Sequence, residues 1–332
     1  MRTLTLADAP ALAPLLARGA LGSPGKSLRL PRAAARHDPG ADTGPLAPLR
    51  LPRLVLPAVR IDLARLAAYE RVCGFPTGED AVPSTYPHVL GFPLVMRLMS
   101  GRDFPLPLLG LVHTSIEITR RRRLPATGTY EITVYVAGLA PHRRGTEATV
   151  VTEVRDGRER ADGGTGGVAD GSGVAVAWES RSTYLARHRR GEGTRDTAGT
   201  PGTRGARGAR GARDEAGGGP GPLPGVAEWR LGGDVGRRYG AVSGDRNPIH
   251  LHPLAARLFG FPRPIAHGMW TVARCLAEHG TPPATLVRAE FRAPVPLPGT
   301  VTYAADGQTW GAFELRAGTR VHVRGAVHPL VA

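Results

Sequence analysis

The chain has 332 residues, 41% of them hydrophobic, and a formal net charge of +15 carried almost wholly by arginine, since Lys26 is the only lysine. That length and apolar fraction predict two domains with their own cores and exclude a fibrous chain. Cys73 and Cys275, the only cysteines, are too few for a disulfide framework or a zinc site, and they point to a reduced, cytoplasmic compartment.

Residues 1–48 are rich in Ala, Pro, Gly and Arg and are expected to be poorly ordered. Pro10 and Pro14 weaken a helix over Leu4–Leu16, and Gly19–Pro45 is expected to be mobile. The apolar Ala11–Ala17 run is interrupted at Pro14 and makes no convincing signal peptide. No apolar run approaches the ~20 residues that span a bilayer. Residues 49–187 then read as a first folded unit. Leu54-Val-Leu56 is a strand, and a helix over Asp62–Val72 carries Leu63, Leu66 and Ala67 on one face. A second helix, Tyr86–Ser100, buries Leu94, Val95, Leu98 and Met99. Strands come next, with Tyr130, Ile132, Val134 and Val136 alternating against Glu131, Thr133 and Tyr135. Thr146–Val154 and Gly173–Tyr184 are further strands around a Gly/Asp-rich turn at 156–173. The simplest assembly is one long helix wrapped by an antiparallel sheet, a hotdog-like α+β arrangement.

Residues 188–222 break the pattern. Arg204-Gly-Ala-Arg-Gly-Ala-Arg-Gly-Ala-Arg213 runs into a Gly/Pro segment with no large apolar side chain, the composition of a flexible linker. An arginine-glycine tether for nucleic acid is the alternative, but no aromatic interleaves the repeat and nearby acids offset its charge. Residues 223–332 restart the helix–strand pattern. Val226–Leu231 is a strand, and Gly268–Glu278 is a helix with Met269, Val272, Ala273 and Leu276 on one face. Four more strands are expected at Leu286–Arg292, Thr300–Ala304, Trp310–Arg316 and Arg320–Val327.

Chemistry concentrates in Tyr239-Gly-Ala-Val-Ser-Gly-Asp-Arg-Asn-Pro-Ile-His250 and Ala266-His-Gly-Met269. Asp245 and His250 stand five residues apart across Asn247-Pro248, so a carboxylate and an imidazole can share one water as acid and base. Behind them, the N–H of Gly268 opens a helix and can receive charge developing on a carbonyl oxygen. Alone, Asp245 reads as an Asx-turn or capping residue and His250 as a packing histidine. Their conjunction favours catalysis. Asn247 holds water or histidine, or is only a turn residue. Ser243 and Gly244 shape the loop, and Tyr239 fills the core with its ring and anchors its hydroxyl. His252 packs at the surface. Its spacing with His250 and His267 matches no standard metal site, so no metal is expected.

These residues resemble the hydratase 2 motif of MaoC-like (R)-specific enoyl-thioester hydratases and 3-hydroxyacyl-thioester dehydratases. Tyr239, Ser243-Gly244-Asp245 and Asn247-Pro248-Ile249-His250 carry the match, and Arg246 takes the variable position. The resemblance implies reversible hydration of trans-2-enoyl thioesters of coenzyme A or acyl carrier protein, in fatty-acid or polyketide-type metabolism. It also implies that Asp245 and His250 are catalytic, that Asn247, Ser243, Gly244 and Tyr239 support water and loop, that the Gly268 amide is the oxyanion donor, and that His267 flanks the site. The thioester is substrate, and no cofactor is implied. A basic surface suits such anionic carriers.

The two halves overlay. Tyr69-Glu-Arg-Val-Cys-Gly-Phe75 matches Tyr239–Asp245 in its Tyr, Val and Gly, but Phe75 replaces Asp245. Pro87-His-Val-Leu-Gly91 matches Pro264-Ile-Ala-His-Gly268, and Leu111-Val112-His113 matches Leu286-Val287-Arg288. The first copy has no counterpart of Asn247-Pro-Ile-His250. The pattern predicts a double hotdog, with a degenerate half at 49–187 and a catalytic half at 223–332, monomeric through internal pairing or further dimerised. No nucleophile elbow or phosphate-binding glycine loop occurs. The rival readings are a non-catalytic acyl-thioester or nucleic-acid binding protein using the Arg-Gly tract, and a hydratase of a branched or dicarboxylic enoyl-CoA.

Overall fold

The computed structural model of the protein describes residues 2–28, 51–157, 174–187 and 221–331. Residues 158–173 of the expected turn and residues 188–220 of the expected linker lie outside them. Among the described residues eleven strands form one sheet: β1 (Thr3–Thr5), β2 (Arg53–Arg60), β3 (Leu111–Arg120), β4 (Thr129–His142), β5 (Gly145–Asp156), β6 (Val176–Arg187), β7 (Gly225–Leu231), β8 (Thr285–Phe291), β9 (Gly299–Ala305), β10 (Ala312–Ala317) and β11 (Arg320–Pro329). Their order is β1-β2-β4-β5-β6-β3-β8-β11-β10-β9-β7. From the central β3–β8 pair outward, each strand of one half has a counterpart at the same distance in the other: β6 and β11, β5 and β10, β4 and β9, β2 and β7. Ile116 opposite Ala289 and Ile118 opposite Val287 join the halves through buried neighbours. This is an α+β double hotdog.

Each half wraps its sheet around one long helix. In the first half, α1 (Leu12–Leu28) and α2 (Leu63–Cys73) precede the long α3 (Tyr86–Ser100). In the second, α4 (Val235–Ser243) and two short pieces, α5 (Pro248–Leu251) and α6 (Pro253–Leu258), precede the long α7 (Gly268–His279). Leu94, Val95, Leu98 and Met99 of α3 and Met269, Val272, Ala273 and Leu276 of α7 are all buried. Each of these side chains larger than alanine contributes roughly 1.5–3 kcal/mol relative to exposure, so the apolar faces fix both helices against the sheet. Side-chain donors then cross between halves: Arg65 Nε to the Val242 carbonyl at 2.7 Å, Trp270 Nε1 to the Val72 carbonyl at 3.0 Å, and Arg120 Nη2 to the Pro282 carbonyl at 2.6 Å.

Two expectations are corrected. The first 28 residues are not a disordered lead-in. Thr3–Thr5 pairs in parallel with β2, and α1 packs on α3. There the Ser23 hydroxyl donates to the Gly19 carbonyl at 2.6 Å and receives the Leu109 N–H at 2.9 Å. Pro14 falls in the first helical turn, where its missing N–H has no partner to lose, and tertiary packing outweighs the remaining breakers. On α2, Leu63 is 54% exposed; the buried side is Leu66, Tyr69, Glu70 and Cys73, with Asp62 as N-cap.

Candidate active site

The site starts at the end of α4. Gly244 has φ 83° and its N–H bonds the Gly240 carbonyl at 3.0 Å, a left-handed cap that glycine adopts without strain. The chain turns there, and a ladder of local bonds fixes residues 245–249. Ser243 Oγ accepts the Asp245 N–H at 3.2 Å, Asp245 Oδ1 accepts the Asn247 N–H at 3.1 Å, and Asn247 Oδ1 accepts the Ile249 N–H at 3.4 Å. Asn247 is thus the N-cap of α5, with Pro248 at its first position. The structural and chemical readings of Asp245 coexist, because the turn uses Oδ1 and leaves Oδ2.

α4 supplies the shelf for this loop. A Cβ on Gly236 would overlap the His250 carbonyl oxygen, and one on Gly240 would stand 2.8 Å from the Asp245 carbonyl oxygen. Only bare backbone at i and i+4 lets both residues approach so closely.

His250, 9% exposed, has Nδ1 2.7 Å from the Ile265 carbonyl oxygen. A carbonyl only accepts, so Nδ1 carries the proton and a neutral ring leaves Nε2 as a bare lone pair. Burial lowers its pKa, partly opposed by the charge of Asp245 and by the Ile265 carbonyl. His267, the N-cap of α7, sends Nε2–H to the Asp245 carbonyl at 2.9 Å. Its ring stacks on His250 with centroids 3.7 Å apart and meets Tyr239 at 4.9 Å. Burial first, then the neighbouring His250, lowers its pKa to about 3. Tyr239 is buried, its ring filling the core between His267 and Tyr69.

Asp245, His250 and His267 bring donor atoms within 4.8 Å of one another, a gathering that the spacing in sequence does not show. The geometry does not suit a metal. Each histidine spends one nitrogen on a carbonyl, and rings stacked at 27° aim their remaining lone pairs along nearly parallel planes. Metal-binding nitrogens must converge on one point at ~2.0–2.1 Å. His252 instead caps α6, its Nδ1 accepting the Leu254 N–H at 3.3 Å.

Gly268 is the first residue of α7, so its N–H has no acceptor within the helix. A Cβ there would meet Phe291 at 2.9 Å, so glycine also lets β8 close over the helix start.

The first half repeats the frame without a counterpart of Asp245 or His250. Gly74 caps α2 at φ 83°, its N–H on the Glu70 carbonyl, and Tyr69 faces Tyr239 at 6.1 Å. Phe75 stands after the cap. The 18 positions from Tyr69 to Pro87 become 25 from Tyr239 to Pro264, and the added length carries α5 and α6. α3 begins at Tyr86, so Gly91, the counterpart of Gly268, lies inside the helix with its N–H in the intrahelical ladder.

That half does send residues towards Asp245 which sequence reasoning missed as site residues. The charge of Asp245 acts on His88 of α3 and on Tyr184 of β6, and His113 of β3 stacks on Tyr184 at 4.6 Å. His88 and His113 sit in the very segments that align the two halves; for His88, its polarity on the mostly apolar α3 is the signal available in sequence.

Residues 234–309 match the profile of the MaoC like domain. The chain is 36% identical over 258 residues to 3-hydroxyacyl-thioester dehydratase X of Mycobacterium tuberculosis, covering 77% of this chain and 80% of that relative. The crystal structure of HtdX of Mycobacterium tuberculosis matches with TM-score 0.65 and 32% identity, covering 84% of this chain and 100% of that one. A MaoC-like dehydratase from Phytophthora capsici matches with TM-score 0.58 over 84% of this chain and 96% of its own; at 19% identity it shares the fold.

Proposed function

Because the chain belongs to the MaoC-like dehydratase family, we propose that it is a hydro-lyase interconverting trans-2-enoyl and (R)-3-hydroxyacyl thioesters of coenzyme A or acyl carrier protein. The observation that carries this is the bare Nε2 of His250, fixed by the 2.7 Å bond from Nδ1 to Ile265, beside Asp245 and the free amides that open α7. In hydration, the substrate carbonyl accepts the Gly268 N–H. Water held between Asp245 and His250 gives a proton to His250 Nε2 as its hydroxyl bonds C3. The C2–C3 double bond becomes an enolate on the thioester oxygen, where the amide is worth on the order of 3 kcal/mol. The imidazolium, stabilised by the Asp245 carboxylate, returns the proton to C2 on the same face. Dehydration is the reverse, and no cofactor enters either direction.

His267 acts through position, pinning the Asp245 carbonyl and backing the His250 ring. Asn247 acts through the turn it caps. Pairing of the halves through β3 and β8 supplies internally the partner surface that a lone hotdog lacks, so the monomer suffices. Among the described residues no helix is long and apolar enough to cross a membrane. The reading is tested by the enoyl-thioester absorbance of crotonyl-CoA. Wild type should bleach the band, and Asp245→Asn and His250→Ala should each slow it by about 10²–10⁴-fold. Variants as fast as wild type would remove the pair from the reaction.

A further inference from the structure

The first half, though without an acid–base pair, lines the second half's site with a row of polar rings. His88 is 6% exposed, and its ring lies at 11° to that of His113, centroids 6.1 Å apart. His113 stacks on Tyr184 and meets Phe291 at 4.7 Å, and Phe291 is the ring packed on Gly268. The row therefore begins beside the oxyanion amide, and Asp245 is the charge acting on His88 and Tyr184.

Two nitrogens in this row, His88 Nδ1 and His113 Nε2, are buried without a hydrogen-bond partner among the described residues. Each such atom carries an uncompensated desolvation cost unless something meets it. The hydration chemistry uses neither ring, and an alkyl chain offers them nothing. We propose that His88 and His113 form a specificity subsite for an acyl chain bearing a hydroxyl or keto oxygen beyond C3. The identity of the ligand as an acyl thioester rests on the function proposed above. Burial lowers the His88 pKa to about 4 and the His113 pKa to about 3. The subsite accordingly offers neutral hydrogen bonds, which suit a hydroxyl or ketone and give a carboxylate no ion pair.

Calorimetric binding of hexanoyl-CoA and 5-hydroxyhexanoyl-CoA reads the subsite apart from the reaction, since neither saturated thioester can be hydrated. Wild type should bind the hydroxylated chain about tenfold or more tightly, the equivalent of one good hydrogen bond. His88→Leu and His113→Phe should bring the ratio towards one, while His88→Gln, which keeps a donor and an acceptor, should preserve most of it. A wild-type ratio near one overturns the proposal, as water then satisfies both nitrogens. So does a ratio that survives His88→Leu and His113→Phe together. Should the ratio hold while crotonyl-CoA is not hydrated, the reaction is misassigned and the subsite stands.

Discussion

His250 and Ile265 are tied by a 2.7 Å hydrogen bond from ring to main chain, and the bond decides which nitrogen of His250 is a base. In the reaction proposed above, His250 serves as base only while its ring is neutral. Burial lowers its pKa from the ordinary 6.5, with Asp245 pulling the other way. kcat/KM should therefore be flat through neutral pH and fall on an acid limb below 6.5. In Asp245→Asn, whose charge no longer favours the imidazolium, the His250 ring followed by NMR should titrate at still lower pH. A ring titrating above 6.5 in the wild type would contradict the buried, neutral base.

The same burial governs stability. His88, His250 and His267 are buried with lowered pKa values, about 4 for His88 and about 3 for His267. Between those values and 6.5 the unfolded chain binds protons that the folded chain refuses. Their contribution is fully present above 6.5 and is lost as pH falls towards 4 and then 3, by up to about 1.4 kcal/mol per pH unit for each ring. Urea midpoints should decline steadily from pH 6.5 to 4.5, and proton uptake on unfolding at pH 5.5 should be positive. A flat profile would mean that these rings charge in the folded state.

Gly236 and Gly240 form the shelf beneath the His250 and Asp245 backbones. Gly236→Ala should push His250 away from Ile265, lowering kcat by about 10²-fold for an ångström-scale misplacement and costing about 1–3 kcal/mol through overpacking. Gly22→Ala is the control, since a Cβ there meets nothing within 4 Å. Lying in α1, it should gain up to about 1 kcal/mol of helix stability. Equal kinetics in the two variants would show that the shelf does not position the loop.

Much of this was legible because local signals agreed with tertiary demands. The period-two run from Tyr130 to Val136 became β4, and the i, i+3, i+4, i+7 face of Met269–Leu276 became the buried side of α7. The Gly-Asp-x-Asn-Pro spacing encoded a cap, an Asx turn and an N-cap, so the site's frame was written within a dozen residues. The features that escaped depended on partners distant in sequence. α1 is held by Leu109 and Gly101, which overrule the prolines and glycines that weaken it alone. The stacking of His250 on His267, and the approach of His88 and Tyr184 to Asp245, arise only when the halves join at β3–β8.

Phe75 provides the sharpest test of whether the first half keeps a latent site. It comes directly after a glycine cap of the same φ as the one before Asp245, and its ring stacks on Tyr69 at 6.4 Å. Phe75→Asp in an Asp245→Asn background would restore the carboxylate by position and nothing else. No segment like α5 carries a histidine there, and α3 runs back to Tyr86, so the Gly91 N–H is spent inside the helix. We expect no recovery of crotonyl-CoA hydration above the Asp245→Asn level, with a stability loss of about 1–3 kcal/mol from the displaced ring and the poorly solvated carboxylate. Recovery to within tenfold of wild type would mean that a carboxylate at this cap can replace the one at Asp245.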